Sequence, residues 1–182
     1  FNQPLNSWNT AKVTDMEGAF TGTSIFSAQI ESWNTAKVTT MKNMFKGAAV
    51  FKQNLNDWKL GAATTTAGMF DGAAAFNAPV NAWDVSKVAD ISKMFSSAAA
   101  FNQDLSAWDV GAIQGGGNKV DEAFYKTGMS DCNKKTIYDV FKAVTAGTKL
   151  VQADYEEIAD NTAGAGNLGT DGQNWHAAAP SC

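Results

Sequence analysis

Phe101 to Val110 reads FNQDLSAWDV, and the same frame opens the chain as FNQPLNSWNT at Phe1 to Thr10. Working outward from it, tryptophan recurs at Trp8, Trp33, Trp58, Trp83 and Trp108, 25 residues apart throughout. Phe1, Phe26, Phe51, Phe76 and Phe101 open the units. A second phenylalanine follows twelve residues after each of the first four tryptophans, at Phe20, Phe45, Phe70 and Phe95. In the fifth unit it is Phe124, sixteen residues after Trp108, and the four extra residues fall in the glycine-rich stretch Gln114 to Asn118, a loop insertion. Several markers held at one period identify an array whose units bury their apolar faces against their neighbours.

Within a unit the inward triple is Leu5/Trp8/Thr10, matched by Ile30/Trp33/Thr35, Leu55/Trp58/Leu60, Val80/Trp83/Val85 and Leu105/Trp108/Val110. The β-branched residue two after the tryptophan predicts a short strand near residues 4–10 of each unit. Val13, Met16, Ala19 and Phe20 then follow at spacings of three and four, which predict a short helix or 3₁₀ segment. Thr14 and Glu17 fit a capping box, and Gly22, Gly47 and Gly72 fit C-terminal caps. The expected fold class is therefore an α/β repeat solenoid over residues 1–129, five coils of short strand plus short helix. The five tryptophans are expected to form a buried core ladder rather than a sugar-stacking surface.

The string FNQPLNSWNTAKVTDMEGAFTGTS, repeated in register, resembles the surface-protein repeats of bacteria, mycoplasmas and protists that are grouped with BspA-like leucine-rich repeats. The resemblance covers about residues 1–129 and is closest at FNQDLSAWDV. The third unit departs from it at Lys59, Leu60 and Thr66, and the fifth by its insertion. It implies an open leucine-rich-repeat-like solenoid in a cell-surface or extracellular setting, acting as an adhesion and interaction scaffold with no enzymatic activity.

Residues 130–182 break the period. Ile137, Tyr138, Phe141 and Val144 predict a helix, with Asp131 or Asn133 as N-cap and Gly147 as stop, and the segment reads as a C-terminal cap. Cys132 and Cys182, the two cysteines, stand at its two ends and are expected to form a disulfide; closing a loop of about fifty residues adds about 4 kcal/mol in the chain-entropy model. The first repeat, beginning at Phe1, has no such cap. The expectation is that an upstream part of the chain is missing, and that the strand edge from Pro4 to Thr10 meets upstream repeats or other protein subunits.

The 182 residues are 45% hydrophobic and 18% charged, enough apolar material for a core, with a net charge of −4. All 14 basic residues are lysine, and with a pI near 4.9 no nucleic-acid partner is expected. No run of about 18 apolar residues marks a membrane span. His176 is the one histidine, and no nucleophile elbow or phosphate loop occurs, so neither catalysis nor a cofactor is expected. The candidate binding face is the polar set between the inward residues: Asn6, Asn9, Glu31, Asn34, Asn56, Asp57, Asn81, Asp84 and Asp109. The expected function is a structural and adhesive protein-interaction module of an extracellular or cell-surface assembly, such as a filament or stalk. The alternative is a ligand-binding module that recognises glycan, mineral or ice through that polar face.

Overall fold

The computed structural model describes residues 2–113 and 119–145. Among these residues there is no strand, and one helix, α1 (Asp131–Thr145). The expected α/β solenoid of the leucine-rich-repeat kind is thereby overturned: neither the strand near residues 4–10 nor the helix from Val13 forms in any unit. What repeats instead is a coil made almost entirely of turns.

The hydrogen bonding gives the reason. In the first coil the Leu5 carbonyl accepts from the Trp8 N–H at 3.0 Å, and the Thr10 carbonyl accepts from the Val13 N–H at 2.9 Å. The inward residues Leu5 and Trp8 are thus the two ends of a turn, not members of an extended strand. From Met16 onward the N–H groups alternate in use. Those of Ala19, Thr21 and Thr23 close turns onto Met16, Gly18 and Phe20, while those of Met16, Gly18, Phe20 and Gly22 reach the carbonyls of Thr40, Lys42, Met44 and Lys46 in the next coil at 2.7–3.1 Å. An α-helix spends every interior N–H on its own carbonyls and leaves none for a neighbour. The backbone also excludes one: Gly18 (φ 64°) and Gly22 (φ 70°) are left-handed, placed as the third residue of the turns Met16–Ala19 and Phe20–Thr23, where a type II turn requires positive φ. The helical-looking spacing of Val13, Met16 and Ala19 is equally the spacing of consecutive turns. Glu17 caps no helix; its N–H donates to the Asp15 carboxylate at 2.8 Å.

Coil joins coil in parallel register through the same alternation. Single bridges pair Asp15 with Thr40, Thr40 with Thr65 and Thr65 with Asp90, with turns on either side that prevent any strand from extending. Four donors of each coil bond four carbonyls of the next across all four interfaces, the last from Ile91, Lys93, Phe95 and Ser97 to Lys119, Asp121, Ala123 and Tyr125.

The core is a set of columns running along the stack. Phe20, Phe45, Phe70 and Phe95 stack with ring centroids 5.4–5.5 Å apart, and Phe95 continues to Phe124 at 5.9 Å. Phe26, Phe51, Phe76 and Phe101 form a second column, each ring about 4 Å from the Phe six residues earlier. The departure at Thr66 sits wholly inside this core, its hydroxyl donating to the Met94 sulfur at 3.2 Å. At the far end, α1 is capped by Ser130, whose Oγ accepts from the Asn133 N–H, rather than by Asp131 or Asn133. Its buried residues Ile137 and Phe141, with Val140, meet Leu105, Trp108 and Val110 of the last coil in one apolar seam. The expected helix stop at Gly147 lies outside the described residues.

Candidate functional site

Trp33, Trp58, Trp83 and Trp108 are buried, and each indole N–H donates to a carbonyl of the preceding coil: Leu5, Ile30, Leu55 and Val80, at 2.8–3.3 Å. Trp8 departs from the expected buried ladder. It is 59% exposed, because its upper face has no coil over it, while its lower face stacks on Trp33 at 6.2 Å.

The nine polar positions lie along one side of the stack, all exposed except Asn6 and Asn56, which are half-buried. They divide into two groups by what their side chains do. Asn9, Asn34, Asp84 and Asp109, each directly after a tryptophan, accept from the backbone N–H two residues on, at Ala11, Ala36, Ser86 and Gly111. These are Asx turns that bend the coil. At Asp84 the Ser86 hydroxyl, and after it the Ser86 N–H, hold the carboxyl below the usual carboxylate range. The third coil has Lys59 here; its N–H is taken by the Thr35 hydroxyl at 2.8 Å instead. Asn6 and Asn56 stitch coils together, accepting from the N–H groups of Ser32 and Ala82. That leaves Glu31, Asp57 and Asn81 as side chains with little or no structural employment. Glu31 accepts only a long bond of 3.4 Å from Asn6, and Asp57 and Asn81 make none among the described residues. They lie on three successive coils, Glu31 and Asn81 at the same place in their units and Asp57 one residue further on, as two carboxylates and an amide facing solvent.

A second polar row escaped the sequence reading. The Asn that follows the opening Phe of a unit crosses between coils: Asn2 Oδ1 accepts from the Ser27 N–H, Asn77 Oδ1 from the Asn102 N–H, and Asn102 Oδ1 from the Ser130 N–H. Gln53 and Gln103 donate to the carbonyls of Ser27 and Asn77. The available signal was an Asn directly after the opening Phe in three units (Asn2, Asn77, Asn102) and a Gln two after it in three (Gln3, Gln53, Gln103). The column Thr14, Thr39, Thr64 is exposed, but the hydroxyls of Thr39 and Thr64 donate back to the carbonyls of Thr14 and Thr39.

Cys132 is disulfide-bonded; Cys182, its expected partner, lies outside the described residues, as does His176. Among the described residues no group of three His, Cys, Asp or Glu is placed to hold a metal ion, and no helix is long and apolar enough to cross a membrane.

No curated protein and no solved structure matches the chain. One family does match, over residues 1–108 and again over 53–152, and the two overlapping matches follow the stacked coils and run on past the end of α1. With most of its length covered, the chain belongs to DUF285, a family of Mycoplasma proteins of unknown function.

Proposed function

We propose that the chain is a non-catalytic structural and adhesive interaction module of an extracellular or cell-surface assembly. The observation that carries the reading is the solvent-facing row of Glu31, Asp57 and Asn81. Polar groups with little structural employment, repeated on a rigid stack, form a surface on which many weak contacts add up. The disulfide at Cys132 supports an oxidising compartment. Kinship with BspA-like surface proteins belongs to the same proposal, as a likeness of repeat sequence and setting.

The test is adhesion by beads coated with the full chain, to surface-protein extracts and to a glycan array. The triple variant Glu31→Ala, Asp57→Ala, Asn81→Ala is expected to melt like the parent and to lose most of the bead attachment. Unchanged attachment by a folded triple variant would discard this face as the contact surface. Attachment to glycans alone would move the assignment to the ligand-binding alternative, which the two exposed carboxylates also suit. An ice surface is less well served, since the threonine hydroxyls of Thr39 and Thr64 are turned to backbone carbonyls.

A further inference from the structure

Lys42, Lys46, Lys93 and Lys119 are tied into ion pairs with carboxylates of a neighbouring coil, and Lys134 and Lys135 into pairs along α1. Four other lysines gather on one corner of the stack. The N–H groups of Val13, Val38, Ala63 and Val88 donate to the carbonyls of Thr10, Thr35, Leu60 and Val85 and close the same turn in four successive coils. Lys12, Lys37 and Lys87 are the third residue of that turn. The third coil has Ala62 there and carries Lys59 instead, directly before its turn begins. All four lysines are exposed, and their ammonium groups make no hydrogen bond or ion pair among the described residues. Two residues past the corner, the N–H groups of Thr39, Thr64 and Ala89 donate to the carbonyls of Thr14, Thr39 and Thr64 at 2.8–2.9 Å, so its register is fixed from coil to coil. The segments 9–14, 34–39, 59–64 and 84–89 hold these four lysines and a single carboxylate, Asp84, in a chain of net charge −4. Ser86 first, and Lys87 in smaller part, holds the Asp84 carboxyl low.

The corner carries more than charge. Asn9 and Asn34 spend Oδ1 on their Asx turns, and their Nδ2 donors are unused among the described residues. Thr39 and Thr64 donate their hydroxyls to carbonyls and keep an oxygen lone pair with which to accept. We infer that this corner binds a linear acidic polysaccharide laid along the stack. Its carboxylates or sulfates sit on the lysines, and its hydroxyls on the asparagine amides and the threonine oxygens. The argument is charge complementarity with a period. Coils repeat at the 5.4–5.5 Å separation of their stacked Phe rings, comparable with the length of one sugar, so successive acidic sugars meet ammonium groups of successive coils. That separation is shorter than the screening length of about 8 Å at physiological salt, so lysines of neighbouring coils act on a polyanion together. A nucleic acid fits less well, because the four segments contain neither arginine nor an aromatic ring on which a base could stack. The inference goes beyond the interaction-module reading and uses a different set of side chains from Glu31, Asp57 and Asn81.

The experiment measures binding of the full chain to immobilised polygalacturonate, dextran sulfate, uncharged dextran and single-stranded DNA. Binding is expected on at least one of the two acidic polysaccharides, the stronger of them telling carboxylate from sulfate, and none on dextran. It is expected to disappear as salt rises from about 0.05 to about 0.5 M. The quadruple variant Lys12→Gln, Lys37→Gln, Lys59→Gln, Lys87→Gln is expected to melt like the parent and to bind about tenfold or more weakly. Removing as many charges elsewhere, by Lys42→Gln, Lys52→Gln, Lys126→Gln and Lys135→Gln, is expected to weaken binding by less than about threefold. Ala62→Lys, which fills the gap in the column, is expected to tighten binding by about twofold or more, and keeps the test decisive if the corner variant folds poorly. Equal losses from the two quadruple variants would show a response to net charge alone and overturn the inference. So would absence of binding to both acidic polysaccharides, or equally tight binding to DNA. The Glu31, Asp57, Asn81 triple variant is expected to keep its polysaccharide binding, so failure of the adhesion reading and failure of this inference are distinguishable.

Discussion

Two residue positions in each coil take left-handed backbone, and their occupants change along the chain. The first three coils place glycine at the second of them, Gly22, Gly47 and Gly72, whereas the fourth and fifth place Ser97 and Lys126 with φ of 57° and 54°. A side chain there costs about 1–2 kcal/mol, and the side chain of Ser97 makes no hydrogen bond among the described residues in return. Replacing it by glycine removes that strain while adding about 0.5–1 kcal/mol of lost chain freedom on folding. Ser97→Gly is therefore expected to stabilise by about 0.5–1 kcal/mol, raising the melting temperature by about 1–4 °C for a chain of this size. A thermal scan that shows no gain would mean the left-handed turn is not strained by serine. The glycine at Gly128 illustrates the other reason for the residue. Its φ is ordinary, but a Cβ there would lie 2.4 Å from the Ala99 carbonyl oxygen, so the chain passes too close for any side chain.

At the scale of elements, the period and the inward residues were legible in the sequence and the backbone type was not. Repetition of Phe, Trp and Leu every 25 residues reports only which side chains meet, because stacked rings need a fixed register and tolerate several backbones. Val13, Met16 and Ala19 have the spacing of a helix and also of turns joined end to end. What separates the two is where the N–H groups go, which side-chain pattern does not encode. The glycines were legible as helix caps but act as turn residues. Asn9, Asn34, Asp84 and Asp109 looked like free surface, although an Asn or Asp in fixed register with Ala, Ser or Gly two residues later is the mark of an Asx turn. The insertion after Ile113 shows how the ribbon is held. Asp90 of the fourth coil pairs with Lys119 beyond it at 2.9 Å and also accepts from the hydroxyl and N–H of Ser92. Partial burial pushes the Asp90 carboxyl up, but the Lys119 hydrogen bond and those of Ser92 outweigh it and leave it below the usual carboxylate range. A group with a lowered folded pKa contributes stability that is present above its unfolded value, about 3.9, and is lost as pH falls through the folded one. Asp90→Asn is expected to cost up to about 1 kcal/mol at pH 7, a partly exposed pair being worth no more, and the difference from the parent should vanish in acid. Paired melts at pH 7 and near pH 3 check the sign; a gap that persists undiminished in acid would show that the carboxylate charge is not what Asn removes.

For the whole molecule, stability in such a stack is close to a sum over coils and their interfaces, so the same residue has different worth at different heights. Trp58 in the middle coil is fully buried, its ring 6.3 Å from that of Trp33 and its indole bonded to the Ile30 carbonyl. Trp8, chemically the same residue of the same repeat, has one face in solvent and, among the described residues, no bond for its indole. Truncating Trp58 to alanine opens a cavity between two coils on one side and two on the other, and is expected to cost about 3–5 kcal/mol. Truncating Trp8 removes one stacking contact at an open end, worth about 0.5–1.5 kcal/mol. Denaturant titrations of the two variants should therefore place Trp58→Ala well below Trp8→Ala in midpoint. The slope should also fall for Trp58→Ala alone, because a break at the third coil lets the two ends of the stack unfold separately. Equal midpoints for the two variants would mean that the coils do not act as a ladder of neighbour interfaces. A large loss from Trp8→Ala alone would mean instead that the first coil is held in place by its exposed ring.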